Sequence, residues 1–472
     1  MGEEIKHSQF SHADFKIFQK KLAEETAILS ECFSHQTFQY QQQTIGAEIE
    51  AWLIDEQFRP ASISQDFIKT VNNPLVFQEL AQFNVELNSS AVTLTGSAFS
   101  KLHGEFKNNW KQCIAAAKTL NASFVMTGIL PSVQNQDLNL KNISPMQRFF
   151  AINEQILKLR DGAPIILDIH GDNDSLYLEH GDVMLESAAT SLQLHLQVNP
   201  NTAHHFYNIC KIVSAPMVAI AANSPYLFGK QLWDETRIPL FEQSVSVGAS
   251  DYSRRVTFGI RYAKNSLFEC FEANNDRYPL LLPHHQNIDP QQLSHLRLHN
   301  GTIWRWNRPL IGVNEKAEKH LRIEHRAISA GPSIIDMIAN MAFFYGLVEA
   351  LSLEQSLIEN QIPFETADAN FYRSAKSSLN AKVVWNNHSV SVRQLILEKL
   401  LPMAKKGLDH LDIDVEESQF YLNIIKQRVK QCQNGAIWQK KTTEKNQYDM
   451  VQLTQSYLEN QLSEKPVHQW KI

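Results

Sequence analysis

The sequence predicts an α+β fold with an antiparallel sheet, followed by an α-helical C-terminal appendage. Three observations carry this prediction. Five segments spread over 300 residues alternate or run apolar in the manner of strands: 44–55 (TIGAEIEAWLID), 84–95, 163–169, 191–198 (SLQLHLQV) and 320–328 (HLRIEHRAI). Helical stretches near 99–120, 146–160, 202–222 and 334–351 fall between them without the regular strand–helix alternation of a parallel sheet. Beyond about residue 360 the strand signals thin out, and 390–411, 414–433 and 443–462 read as helices. The expected division is a main part over 1–360 and a helical addition over 361–472 packed on it.

Each element follows from its residues. Residues 13–32 read as an amphipathic helix. In 44–55 the side chains of Glu48 and Glu50 share one face, while Ile49 and Ala51 share the other. Glu86 sits between Val85 and Leu87. In 191–198, Gln193, His195 and Gln197 lie opposite Leu192, Leu194, Leu196 and Val198. In 320–328, Arg322, Glu324 and Arg326 lie opposite Leu321, Ile323 and His325. Within 334–351, Ile334, Ile338, Met341, Tyr345 and Val348 recur at helical spacing and mark a buried face.

Composition narrows the function. With 43% hydrophobic residues and 25 Phe, the 472-residue chain has material for a large core and is not a disordered one. Lys plus Arg number 44 and Asp plus Glu 50, a net charge of −6, so no basic excess points to nucleic acid or an anionic membrane. Binding is expected at a built site for small-molecule substrates. Five widely spaced cysteines form no CxxC pair, which suggests reduced thiols in a cytoplasmic protein and no zinc knuckle. The N-terminal MGEEIKHSQF has no apolar stretch for a signal peptide, and Lys6 stands where a myristoylation signal wants Ser or Thr. The most apolar segments, 214–228 and 334–351, are too short or are broken by Asp336, Asn340 and Glu349, so no membrane span is expected.

Phosphate-loop, dinucleotide-binding, nucleophile-elbow and zincin motifs are all absent. The paired histidines at 204/205 and 284/285 have no partners at zinc spacing. What remains is the polar faces of the strands. An antiparallel sheet often has a solvated polar face, and alternation alone implies no more. These faces, however, carry carboxylates at Glu48, Glu50, Glu86 and Glu324, with Arg326 beside one of them. Carboxylates gathered on neighbouring strands repel unless a cation sits among them. Hard divalent ions such as magnesium take such oxygen donors, and an arginine on the same face can clamp phosphate or carboxylate. The residues thus describe a candidate magnesium–phosphate site.

At these residues the sequence resembles the glutamate–cysteine ligase superfamily, in particular its plant-type and bacterial carboxylate–amine ligase branches. The motifs are GAEIEAWLID, VELNSS, SPMQRF (144–149), TSLQLHLQV, ANSPYLFGK with a following ETR, and RIEHRAISAGPSIIDMIANMAFFYGLV. They occur in the family's order over about residues 44–350.

The resemblance implies a glutamine synthetase-like fold, in which a curved antiparallel sheet forms a funnel. It implies Glu48, Glu50, Glu86 and Glu324 as magnesium ligands and Arg326 on the transferring phosphate. It places Arg148 and Arg237 on substrate carboxylate or phosphate, with Arg326 and Arg237 as the catalytic pair. Gln193 is implied at nucleotide or substrate, although several relatives have His there, and His195 at substrate. The implied reaction uses ATP and Mg2+ to phosphorylate a carboxylate, glutamate's γ-carboxylate or a similar one, before an amine attacks the acyl phosphate. Phe149 replaces a Tyr found in many relatives. No motif matches in 238–320 or in the helical tail, so the amine stays open, cysteine included. A monomer or homodimer is expected. A non-catalytic nucleotide- or amino-acid-binding sensor and a metal-dependent hydrolase are the alternatives.

Overall fold

The computed structural model describes residues 4–247 and 254–472. The first three residues of the charged N-terminal segment read above lie outside the described residues. At the centre is an eight-stranded sheet: β1 (Thr44–Ile54), β2 (Val76–Gln78), β3 (Asn84–Asn88), β4 (Val92–Thr93), β5 (Ser123–Val125), β6 (Ser191–Gln197), β7 (Asn307–Val313) and β8 (Lys319–Ser329). Its order is β7-β8-β6-β1-β3-β2, with β4 and β5 paired to the two ends of β1. Every pairing is antiparallel, which gives the α+β class expected from the sequence.

Register places the polar residues in one field. Glu48 lies opposite Asn88 on one side and Gln193 on the other, and Glu50 opposite Glu86. Glu324 lies opposite His195 and Arg308. A bulge in β8 between His325 and Ile328 interrupts the β6 pairing where Arg326 sits, and bulges re-aim side chains in this way. Residues directly opposite on antiparallel strands share a face, so the carboxylates and arginines of four strands gather on one side, with Gln193 and His195 of β6 among them.

The other face is apolar and covered by helices. Ile45, Ala47, Ile49, Leu192, Leu194, Leu196, Leu321 and Ile323 are all buried. Helices Ala203–Ala221 and Ile334–Ser352 pack against each other, the first lying against β8. Tyr345 of the second donates its hydroxyl to the His195 carbonyl at 2.9 Å, tying helix to sheet, and Phe344 stacks on His325 with ring centroids 4.6 Å apart.

Ile334–Ser352 is long and apolar enough to cross a membrane by length and composition, yet 94% of its apolar window is inside the molecule. The sequence marked one buried face, whereas the helix is buried almost all round because Leu401–His410 and Val415–Lys430 close its outer side. At the crossing with Leu401–His410 the backbones nearly touch: a Cβ on Gly407 would meet the Gly346 carbonyl oxygen, so only glycine fits there.

Two expectations change in detail. The 163–169 segment is a strand, Ile165–His170, but it pairs with Ser175–His180 in a separate hairpin outside the main sheet. The region beyond 360, which read as helical, also holds a short hairpin, Lys382–Trp385 with His388–Ser391.

Candidate active site

The carboxylate–arginine face lines a cavity of about 240 Å³. Glu48, Glu50, Glu86, Gln193, Glu324, Arg326 and Arg148 all border it, and His195 joins them through Glu48. The sheet supplies most of this wall. Arg148 comes from the first turn of helix Gln147–Leu159, where it is buried with its guanidinium 4.5 Å from the Phe149 ring centre.

The two ends of the cavity differ in charge. At the arginine-rich end, Arg308 grips Glu324 with two parallel bonds of 2.9 Å, and Arg326 donates to the same carboxylate at 3.1 Å. Bidentate guanidinium–carboxylate contact of this kind is strong and fixes orientation. Burial would raise the Glu324 pKa, but Arg308 and Arg326 overcome it and bring it down to about 2. Arg322 and Arg297 complete this end. Arg326 also donates to Gln193 Oε1 at 2.5 Å, and Gln193 donates to Glu50 at 2.8 Å, so the glutamine links the two ends.

The opposite end collects acids. Glu50 accepts from the Ser191 amide at 2.6 Å, and Glu86 accepts from Asn88 at 2.9 Å. Burial, then the nearby Glu79, pushes Glu50 up to about 7. Glu86 is driven well above the usual carboxylate range by burial and by Glu48 and Glu79. Glu186, from the short helical turn Val183–Ala188, is pushed to about 8 by burial and by Glu50. Glu48 goes the other way: burial opposes its charge, yet contact with His195 at 3.0 Å holds it well below the usual range. Acids this crowded hold protons where no cation sits among them.

Among the described residues, Glu48, His195 and Glu324 form a compact set with ligand atoms within 4.8 Å of one another. Sequence reading put His195 at substrate, whereas the structure places it between two carboxylates. Its Nδ1 is buried without a partner.

Arg237 stands apart and departs from its expected place. It does not border the cavity. It is 1% exposed, paired with Glu235 at 3.1 Å, and it donates to the carbonyls of Arg326 and Ala327 at 3.3 and 2.7 Å. With Nη2 on the backbone carbonyls of β8, it supports the bulge that carries Arg326.

Sequence reading missed Glu79, Glu186, Arg297 and Arg308. Arg308 was the most recoverable, since β7 and β8 form a hairpin that sets it opposite Glu324. Glu79 and Glu186 lie outside the sheet strands, where no periodicity marks them.

The fold defines the class first. The chain superposes on the glutamate–cysteine ligase of Francisella tularensis in complex with AMP, with a TM-score of 0.57 at 12% identity over 92% of this chain and 96% of that one. It also superposes on a bifunctional glutathione synthetase from Pasteurella multocida, with a TM-score of 0.55 at 12% identity. That alignment covers 93% of this chain and 55% of the bifunctional enzyme. At such identities the likeness establishes a shared fold. The sequence then gives the family: residues 44–457 match glutamate–cysteine ligase family 2, and the chain belongs to it. It is therefore an enzyme, a carbon–nitrogen ligase that joins a carboxylate to an amine. No curated protein sequence matches the chain.

Proposed function

We propose that this ligase activates the γ-carboxylate of glutamate, or a closely similar acid, with ATP and passes the acyl group to an amino acid or amine. One observation carries the reading: a single buried sheet face sets an acid cluster beside an arginine cluster, joined through Gln193. The acid cluster fits a divalent cation. Its donors are hard oxygens, and Glu50, Glu86 and Glu186 are all pushed upward by burial and mutual repulsion, which a cation would relieve. Glu48, Glu50 and Glu86 would hold magnesium, joined from the arginine-rich end by Glu324, whose ligand atoms lie within 4.8 Å of those of Glu48 and His195, with His195 orienting Glu48. The ion, when bound, offsets negative charge on nucleotide phosphates.

The chain's own residues do the rest. Arg326, fixed by Glu324 and Gln193, faces the cavity and stabilises the transferring phosphoryl group. Arg148, at the helical wall, takes a substrate carboxylate. Apolar walls from Phe149, Ile152, Leu296 and Trp304 limit water, which would otherwise hydrolyse an activated acyl group. That one structural relative holds AMP supports nucleotide as the co-substrate. We read residues 361–472 as an addition that buttresses helix Ile334–Ser352 and takes no part in the chemistry.

The test is ADP and phosphate release from ATP with glutamate and a panel of amines, cysteine among them. Release is expected only when both substrates and magnesium are present. No release with any pair would overturn the reading.

A further inference from the structure

A second cavity lies behind the active site. It is bordered by Tyr207, Lys211, Gly259, Cys270, Tyr278 and Arg305, among others, and shares no lining residue with the first. The two are back to back: Phe271 and Trp304 face the active cavity, while their neighbours Cys270 and Arg305 face this one. Its floor holds two buried cations, Lys211 at 1% and Arg305 at 5% exposure.

Neither cation has a carboxylate at ion-pair distance among the described residues. Lys211 donates to the Phe258 carbonyl and is otherwise ringed by Tyr207, Phe258 and Phe364, 4.8 to 5.7 Å from its Nζ. Arg305 Nη2 donates to Asn274 at 2.7 Å, and its Nη1 has no partner. Glu269, the acid in the lining, is already taken: it pairs with Arg261 at 2.6 Å and accepts from the amides of Lys264 and Asn265. Burial pushes Lys211 down to about 7, the behaviour of an ammonium without a counter-ion. Gly259, with φ of +108°, leaves the space at Lys211 open, because a Cβ there would lie 2.8 Å from Nζ. Ile260 and Arg261 on the rim are exposed.

Two buried cations, a guanidinium nitrogen without a partner and a cavity of about 50 Å³ describe a built receptor too small for a nucleotide. We propose that this pocket binds one small oxyanion, a phosphate, sulfate or carboxylate group, held between Lys211 and Arg305. Because Arg305 lies between Trp304 and Trp306, an anion there fixes the segment that forms one wall of the active cavity.

The test uses sulfate on the full chain at constant ionic strength. Alkylation of Cys270 by iodoacetamide is followed by peptide mass spectrometry, with Cys432 as the internal control. Sulfate should slow Cys270 alkylation saturably, about ten-fold at ten times its Kd, and leave Cys432 unchanged. Lys211→Met and Arg305→Met should each weaken sulfate at least about ten-fold, the loss of one charge-assisted contact, while Arg148→Gln in the active cavity should not. Parallel phosphate and acetate titrations distinguish a doubly charged ligand from a carboxylate. An adventitious ion only, meaning protection that never saturates, would overturn the proposal. So would equal loss of protection in Arg148→Gln. Saturable protection is read on the wild-type chain, so the proposal stays testable even where a substitution misfolds.

Discussion

The two faces of the central sheet are made by the same strands with the same period, yet they do opposite things. On one face Leu194 and Leu196 meet helices and stabilise the fold by burial. On the other, His195 and the half-buried Glu48 gather with the buried Glu324 in one compact set. Burying charge costs stability unless each group is paired, and here Arg308 and Arg326 pair Glu324 while Glu50 and Glu86 are left to repel. One face is therefore built for stability, and the other keeps crowded acids whose charge the proposed cation would offset.

Substitutions should separate these roles. Arg326→Gln is expected to lower kcat/KM about 10² to 10³-fold, as for loss of one preorganised donor to developing charge, with little loss of melting temperature. Steady-state kinetics and a thermal melt on one preparation check it. Arg237→Met should do the reverse. Removing it leaves Glu235 buried without its cation, a cost of about 3–5 kcal/mol. The double variant with Glu235→Gln should recover part of that in urea unfolding. If Arg237→Met instead reduces turnover at full stability, the residue belongs to the active cavity after all. On the apolar face, Leu194→Ala should cost about 2–5 kcal/mol by opening a cavity.

Smaller effects refine the picture. His299, in helix Ser294–Gly301 at the cavity wall, is held down to about 4 by burial. The unfolded chain takes up a proton near pH 6.5 that the folded one refuses, so this group's stability is present above that pH and lost as pH falls toward 4. The melting temperature of wild type should fall across that window more than that of His299→Gln, and parallel curves would contradict it. Tyr345→Phe removes the bond to the His195 carbonyl and should cost about 1 kcal/mol in urea unfolding, with activity kept.

Alternation made β1, β6 and β8 legible, because one face of β1 and of β6 is apolar without interruption and that of β8 is broken only by His325. β7 escaped notice: NRPLIGV carries Pro309 and no alternation, and proline is tolerated because β7 is an edge strand. Missing β7 meant missing Arg308, whose partner is known only once the hairpin is paired. The full burial of helix Ile334–Ser352 was equally hidden, since its outer side is covered by helices some 50 residues or more further along. Arg237 shows the converse limit. A motif match singled it out, but only packing reveals that its Nη2 bonds backbone carbonyls and its Nε pairs with Glu235.

The central claim is that the acid-rich end of the cavity binds nucleotide through a cation. Calorimetric titration of a non-hydrolysable ATP analogue, with and without magnesium, into wild type, Glu48→Gln and Glu86→Gln tests it directly. One-site binding that requires magnesium and weakens at least about ten-fold in each variant is the expected result, each substitution removing one charged ligand. Binding of equal strength without magnesium, or unchanged in both variants, would contradict it.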